Sequence, residues 1–222
     1  MVISRARWRN ILRNNGLALT LAGLFALVFA LGQIPTGHRV YNATRKEHHQ
    51  PAVGLRAYLC SAPFWEITTE NWESEFLQMF VYIYITTFLF QKGSAESNDP
   101  DAEPEKVVPA VDSPWPVRKG GIWLSVYQHS LSLAFGILFM ISVTIHWLSS
   151  HAMENEKRQW LNQVPVSKFE HIMSAQFWFE SFQNWQSEFL SIFLMVVLSV
   201  YLREKNSPES KPVAAAHDKT GE

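Results

Sequence analysis

Apolar residues are gathered into blocks along this chain, and charged residues separate the blocks. Residues 17–34 are almost wholly apolar, and so are residues 131–148. Because a helix needs about 20 apolar residues to cross a bilayer, these two blocks predict membrane spans. Two shorter blocks, residues 76–90 and 189–202, are also dense in Phe, Ile, Leu and Val. They reach spanning length only if each helix extends backwards through the polar residues that precede it.

The two shorter blocks belong to an internal repeat. Residues 42–97 align with residues 155–210 at a constant offset of 113, with 20 identities in 56 positions. Polar residues match in register as well as apolar ones, which indicates tandem duplication of a two-helix unit. The clearest match is Asn71-Trp72-Glu73-Ser74-Glu75-Phe76-Leu77 with Asn184-Trp185-Gln186-Ser187-Glu188-Phe189-Leu190.

The predicted fold is therefore an all-α membrane protein with four transmembrane helices, arranged as two parallel two-helix repeats. We expect spans near residues 15–34, 71–90, 124–148 and 184–202, with short interfacial helices in the outer loops. Residues 1–97 are called the first repeat and residues 122–210 the second repeat. Residues 98–121 are acidic and proline-bearing, so we predict a disordered cytoplasmic linker that ends in an anchor before the third span. Residues 211–222 are predicted to be a disordered tail.

Lys and Arg indicate the orientation. The N-terminal tail, the linker and the C-terminal tail together hold twelve of these residues, whereas the two segments on the other side hold seven. Cytoplasmic loops carry the excess of positive charge, so we expect both termini in the cytoplasm of a multi-pass inner-membrane protein. The arginines near the N-terminus precede a retained helix rather than a signal peptide, because the second copy of this helix lies in mid-chain.

Composition excludes several classes of function. A net charge of −1 gives no reason to expect nucleic acid as a partner. The single cysteine, Cys60, can form neither an intrachain disulfide nor a cysteine-based metal site. No nucleotide-binding loop or catalytic motif is present, so we predict no enzyme, no cofactor and no metal site. The expected partners are the lipid bilayer and either a second copy of the chain or another membrane protein.

The candidate site comes from the repeat. On the extended second helix, Asn71, Ser74 and Glu75 fall on one face, and the same stripe recurs in the fourth helix as Asn184, Ser187 and Glu188. Ionisable residues inside a membrane often mark function, so the paired carboxylates could bind a cation, carry a proton or hold a polar ligand. The alternative is that both carboxylates sit in headgroup water while Asn and Ser pack the helices together.

Other polar residues receive less support from the repeat. Glu66, Glu70 and Glu73 are interpreted as a solvated face, because their counterparts in the second repeat are Phe179, Gln183 and Gln186. His129 and His146 on the predicted third span have no histidine counterparts in the first repeat.

The quoted motifs resemble a family of bacterial membrane proteins that is known only as a domain of unknown function. The resemblance rests on Phe64-Trp65, the repeated Asn-Trp-x-Ser-Glu-Phe-Leu motif and the run Pro114-Trp115-Pro116-Val117-Arg118-Lys119-Gly120-Gly121. It covers nearly the whole chain and implies a bacterial inner-membrane setting without any activity. Two hypotheses follow: a non-catalytic membrane module whose paired motifs pack the repeats, or a small ion- or proton-coupled transporter or channel that uses Glu75 and Glu188.

Overall fold

A computed structural model describes residues 5–103 and 106–221, and all regular structure in these residues is helical. The all-α prediction is therefore confirmed. The elements in chain order are α1 (Arg5–Leu27), a π-helical segment (Val28–Gln33), α2 (Ile34–Glu47), α3 (Leu55–Leu59), α4 (Ala62–Ile85), α5 (Trp115–Lys119), α6 (Gly121–Gln128), α7 (Ser130–Trp160), α8 (Lys168–Ile172) and α9 (Ala175–Tyr201).

Two helices are long and apolar enough to cross a membrane. One is Arg9–Glu47, which runs through α1, the π-helical segment and α2, and the other is α7. The helices α4 and α9 are also long, with 24 and 27 residues, but their N-terminal halves are polar. The expected total of four spans therefore stays a prediction.

The boundaries of the helices differ from those expected. Helix α4 begins at Ala62 and α9 at Ala175, well before the predicted starts at residues 71 and 184, because the polar residues ahead of each apolar block are helical too. Helix α7 continues past residue 148 to Trp160. An i,i+4 ion pair supports this extension, with Nε of Arg158 and Oε1 of Glu154 2.6 Å apart.

Helix α4 lies between α7 and α9. Glu73 meets His146 near the middle of α7, while Phe80 further along α4 meets Gly136 near the start of α7. The helices α4 and α7 are therefore antiparallel. A Cβ atom on Gly136 would lie 3.3 Å from the Phe80 ring, so a glycine permits this close approach. Helix α9 runs parallel to α4.

The loop after the long first helix of each repeat is held by the same hydrogen bonds. Nε2 of His38 donates to the carbonyl oxygen of Val53 at 2.7 Å, and Oδ1 of Asn42 accepts from the amide of Val53 at 2.8 Å. The same two bonds, at 3.0 and 2.9 Å, join His151, Asn155 and Val166, each 113 positions later. The segments between α2 and α4 and between α7 and α9 thus share one local structure, and they are called the outer segments after their predicted location. Each also holds a short helix, α3 or α8, where we expected one.

Two irregular positions interrupt the long first helices. Asn15 has a non-helical backbone within α1 (φ −127°, ψ 16°), and His129 separates α6 from α7 with a similar backbone (φ −109°, ψ 10°). Among the described residues, a π-helical segment occurs in the first repeat and not in the second. At the end of that segment, Nε2 of Gln33 donates to Oγ1 of Thr68 at 3.0 Å.

Most of the buried side chains in the described residues are polar, while many large apolar side chains are exposed. Glu73 and His146 are fully buried, and Thr68 is buried as well. In contrast, Leu17 and Ile122 are 75% and 74% exposed. Water-soluble proteins bury their large apolar side chains, so this distribution is the reverse of theirs.

The expected disorder of residues 98–121 and 211–222 and the domain boundaries stay predictions. Residues 98–103 and 106–114 carry no helix. The tail nevertheless makes contacts: Nζ of Lys211 donates to the carbonyl oxygens of His217 and Lys219 at 3.0 and 2.9 Å, and the amide of Gly221 donates to the carbonyl of Ser94 at 2.9 Å.

Candidate functional site

The residues predicted from the first repeat do not form a shared site. Asn71 is exposed and donates its side-chain amide to the carbonyl of Ile67 in its own helix, at 2.7 Å. Ser74 is buried and its hydroxyl donates to the carbonyl of Asn71 at 2.8 Å. Glu75 is exposed. These side chains therefore bond within α4 or face outward.

The equivalent residues on α9 differ from one another in exposure and in their hydrogen-bond partners. Nδ2 of Asn184 donates to Oε1 of Glu70 at 2.7 Å, which joins α9 to α4. Ser187 is exposed and bonds to the carbonyl of Asn184, within its own helix. Glu188 is half-buried, and its backbone carbonyl accepts a bond from Gln78 at 2.9 Å. In the part of the chain that the structure describes, the side chains of Glu75 and Glu188 share no hydrogen bond or ion pair.

A different set of polar residues meets between the helices. Glu66, Glu70 and Glu73 follow one another at intervals of four and three residues, so they lie on one face of α4. Glu66 is 4% exposed and Glu73 is 0% exposed. The interpretation of this face as solvated is wrong for both, because the face packs against α7 and α9 instead of water.

Glu73 and His146 form a fully buried pair. Oε2 of Glu73 lies 3.0 Å from Nδ1 of His146, and neither side chain has any exposed surface. Nε1 of Trp185 donates to the other oxygen of Glu73 at 3.3 Å. The ring of Phe177 stacks on the imidazole, with their centroids 5.0 Å apart. The imidazole is therefore fixed in both position and rotation.

The second nitrogen of His146 is the unusual atom of this site. A carboxylate accepts hydrogen bonds, so Nδ1 carries a proton, and Nε2 presents a lone pair whenever the ring is neutral. Nε2 is buried and has no hydrogen-bond partner among the described residues. Buried polar atoms are almost always paired, so a lone one needs an explanation.

Glu66 and Glu180 converge on this histidine. A carboxylate oxygen of each and a ring nitrogen of His146 all lie within 4.8 Å of one another. Since Nδ1 is bonded to Glu73, Nε2 is the nitrogen that remains for a ligand. Three potential metal ligands from α4, α7 and α9 therefore meet at one point.

The first repeat shows what an ordinary version of this position looks like. Gln33 and Thr68 correspond to His146 and Ser181 at the offset of 113, and in the first repeat they are joined by a direct hydrogen bond of 3.0 Å. In the second repeat, the hydroxyl of Ser181 and Nε2 of His146 are both buried without a partner in the described structure. The second repeat thus has two polar atoms without hydrogen-bond partners at the positions where the first repeat has a hydrogen bond between Gln33 and Thr68.

The cluster is rich in carboxyl groups. It contains those of Glu66, Glu70, Glu73 and Glu180 beside the single imidazole of His146. Among the described residues, no Lys or Arg forms an ion pair with any of these four groups. Burying carboxylates without a compensating positive charge is costly, so the cluster is suited to a cation.

Two cavities reach the cluster. One, of about 460 Å³, is lined by Glu66 together with Tyr41 and Glu156. The other, of about 390 Å³, is lined by Glu180 together with Glu154, Glu170 and His171. Met153 and Lys157 border both cavities. The two carboxylates that converge on His146 can therefore be approached from two sides.

The sequence contains one signal for this cluster, which is the spacing of Glu66, Glu70 and Glu73 on one helical face. The internal repeat gave no support to these three residues, because the equivalent positions of the second repeat hold different residue types. The partners His146 and Glu180 come from distant helices, and no local spacing links them to α4.

Comparison with known proteins agrees with the resemblance noted from the motifs. No curated protein and no solved structure matches the chain. A family model described as a domain of unknown function (DUF6766) matches residues 8–222, which is almost the whole chain. The chain therefore belongs to the DUF6766 family, a family that is defined by its sequence and carries no assigned activity.

Proposed function

We propose that this chain is an integral membrane protein that binds a cation in the buried cluster of Glu66, Glu73, His146 and Glu180. The observation that carries the proposal is the fully buried pair of Glu73 and His146, with the carboxyl groups of Glu66 and Glu180 close to the same imidazole. Polar groups in a membrane interior are expensive and are retained where they bind ions or carry protons. A bound cation compensates the charge of the ionised carboxylates.

The distribution of polarity supports the membrane setting. Leu, Ile and Phe side chains cover the outside, and the described interior is mainly Glu, Thr, Ser and His. Lipid removes the penalty for exposed apolar side chains, whereas water would not. Two helices already have the length and composition of membrane spans. We extend this to four spans, with α4 and α9 as the other two, because their polar N-terminal halves are shielded by neighbouring helices.

The proposed topology is that of two parallel repeats produced by tandem duplication, in a bacterial inner membrane with both termini cytoplasmic. The shared offset of 113 supports the duplication, since it relates hydrogen bonds as well as residues. In this orientation, the cluster lies towards the outer end of the bundle, below the two outer segments.

The cluster changes both earlier hypotheses. In place of Glu75 and Glu188, the cation is assigned to residues that lie between the helices and close to one another. The paired Asn-Trp-x-Ser-Glu motifs keep a packing role through the Asn184 to Glu70 bond. Passage of the cation across the membrane stays a prediction, and no enzymatic activity is proposed.

Cation binding can be tested by thermal unfolding of the purified full chain in detergent. The ions Na⁺, K⁺, Mg²⁺, Ca²⁺, Mn²⁺ and Zn²⁺ are added one at a time. At least one of them should raise the unfolding temperature, because a ligand that binds the folded state stabilises it. The double variant Glu66→Gln/Glu73→Gln should lose this response.

The matched control is Glu75→Gln/Glu188→Gln, which removes two charges from α4 and α9 outside the cluster. It should respond like the parent. If no cation stabilises the parent, or if the cluster variant responds to cations as strongly as the parent, the proposal is overturned.

A further inference from the structure

We infer that the bound cation is a divalent transition-metal ion, held by one carboxylate oxygen of Glu66, one of Glu180 and Nε2 of His146. This inference rests on the proposed function and deepens it by naming the class of cation. The geometry, the unpaired nitrogen and the surroundings of the imidazole carry it.

The spacing of the three ligand atoms suits a metal ion. In a tetrahedral site with bonds of about 2.0 to 2.2 Å, the ligand atoms are roughly 3.3 to 3.6 Å apart. A ring nitrogen of His146 and one carboxylate oxygen each of Glu66 and Glu180 lie within 4.8 Å of one another. Glu66 and Glu180 have side chains with three rotatable bonds, so small rotations bring their oxygens to bonding distance while the stacked imidazole stays in place.

The unpaired nitrogen selects the kind of ion. Na⁺, Mg²⁺ and Ca²⁺ favour oxygen ligands, whereas imidazole nitrogen suits Zn²⁺, Fe²⁺, Co²⁺, Ni²⁺ and Cu²⁺. Nε2 of His146 is completely buried and has no hydrogen-bond partner in the described structure. A hard cation would leave this lone pair unused, while a transition-metal ion bonds to it directly.

Glu73 supplies the support that metal-binding histidines usually have. Such a histidine donates its other ring N–H to a carboxylate, which fixes the tautomer and strengthens the ligand. Nδ1 of His146 lies 3.0 Å from Oε2 of Glu73, and Trp185 in turn donates to Oε1 of that carboxylate. Glu73 is therefore a positioning residue that does not bind the metal itself.

Two further features agree with an ion that enters and leaves. Three protein ligands leave at least one coordination position for water. The cavities on the Glu66 side and the Glu180 side offer a path to that position.

The first repeat has Gln33 in place of His146 and Thr68 in place of Ser181, so we expect one metal ion per chain.

The test uses the full chain, purified in detergent without a polyhistidine tag and stripped with a chelator. After equilibration with Co²⁺ or Zn²⁺, bound metal is measured by mass spectrometry, and Co²⁺ is also followed by its visible absorption. The parent should bind one ion per chain. The variants Glu66→Gln and Glu180→Gln should each bind it at least tenfold more weakly.

The decisive variant is His146→Gln/Ser181→Thr, which copies the hydrogen-bonded pair of the first repeat. It installs a pair that the chain already uses but removes the imidazole partner of Glu73, so its folding is checked by circular dichroism, and the folded variant should bind no Co²⁺ at the site. Glu73→Gln should keep the site but raise its Kd about 10- to 100-fold. The control variants Glu75→Gln and His129→Gln should match the parent.

Each outcome has a defined meaning. If the folded His146→Gln/Ser181→Thr variant binds Co²⁺ and Zn²⁺ like the parent, the inference is wrong. If Na⁺, Mg²⁺ or Ca²⁺ stabilises the parent through the cluster while Co²⁺ and Zn²⁺ do not bind, the inference fails and the proposed function stands. If no cation binds at all, both are overturned.

Discussion

Gln78 of α4 donates its side-chain amide to the hydroxyl of Ser191 in α9, with Nε2 and Oγ 3.0 Å apart. These residues are counterparts at the offset of 113, so equivalent positions of the two repeats touch each other. Equivalent residues can meet only where equivalent helices lie side by side. The contact therefore joins the second helix of each repeat.

The bond between Gln78 and Ser191 should contribute measurably to stability. We expect the single variants Gln78→Ala and Ser191→Ala and their double variant to show a coupling of about 0.6 to 1.7 kcal/mol, the range for hydrogen bonds between membrane helices. Reversible unfolding in mixed detergent micelles measures it. Strictly additive effects of the two substitutions would show that the contact contributes nothing.

Asn71 and Asn184 are counterparts with different roles, so their substitutions should differ. Asn184→Ala removes the donor to Glu70 on α4 and should lower the free energy of unfolding by about 1 to 2 kcal/mol. Asn71→Ala removes a bond within α4 and should have a smaller effect. The same unfolding measurement compares them, and equal losses would contradict the assigned contacts.

Gly37 makes room for Tyr58, because a Cβ atom on Gly37 would overlap the Tyr58 hydroxyl. Gly37→Ala should therefore destabilise the fold by about 1 to 3 kcal/mol through overpacking. Gly32→Ala is the matched control, since a Cβ atom there meets nothing within 4 Å. Thermal unfolding in detergent should separate the two variants clearly.

The second repeat also suggests a rescue of that defect. Ser150 and His171 occupy the positions equivalent to Gly37 and Tyr58, and they form a hydrogen bond of 2.9 Å. The double variant Gly37→Ser/Tyr58→His should be more stable than Gly37→Ser alone. If the second substitution adds to the damage, the two outer segments are not equivalent at this position.

His171 should make stability depend on pH. It lies in α8, outside the predicted spans, and burial lowers its pKa below the ordinary value of about 6.5. The histidine is neutral in the folded chain, and the unfolded chain takes up the proton first as pH falls. Its contribution is therefore complete above about pH 6.5 and is lost as pH falls towards the folded pKa.

Unfolding temperatures at pH 8 and pH 5.5 check this sign. The parent should lose more stability over this interval than His171→Gln, which keeps a hydrogen-bonding side chain without titrating. An equal loss in both would exclude His171 as the source. The groups whose charges act on its pKa are His151, Glu154, Glu180 and His146.

The orientation of the chain can be tested with its own cysteine. Cys60 is exposed and lies in the outer segment before α4. An impermeant thiol reagent applied to intact cells should therefore label the parent but not Cys60→Ser. The double variant Cys60→Ser/Asp101→Cys should react only after the cells are opened. Labelling of this double variant in intact cells would reverse the topology.

Apolar blocks were enough to predict an all-helical chain and the two strongest spans, because a bilayer imposes a length and a composition on each helix. They could not fix where α4 and α9 begin. Those starts lie in polar sequence ahead of the apolar blocks. They carry local signals of another kind, since Pro63 lies in the first turn of α4 and the hydroxyl of Ser174 accepts from the amide of Phe177 at the start of α9.

The cluster was not predicted for a different reason. Comparison of the two repeats finds identity where equivalent residues have the same structural role, as in the loops of His38 and His151. A single site that lies between the copies needs different residues from each of them. Glu66 and His146 are therefore found where the copies differ, and comparison of the copies could not identify them.

The π-helical segment Val28–Gln33 explains a small discrepancy in length between the two long first helices. Gln33 follows the irregular Asn15 by 18 positions, whereas His146 follows the irregular His129 by 17. A π-helical turn takes in about one residue more than an α-helical turn, so it absorbs the additional residue locally. A membrane helix can in this way accept a single-residue insertion in evolution while both of its ends, and the side chains that face its neighbours, keep their places.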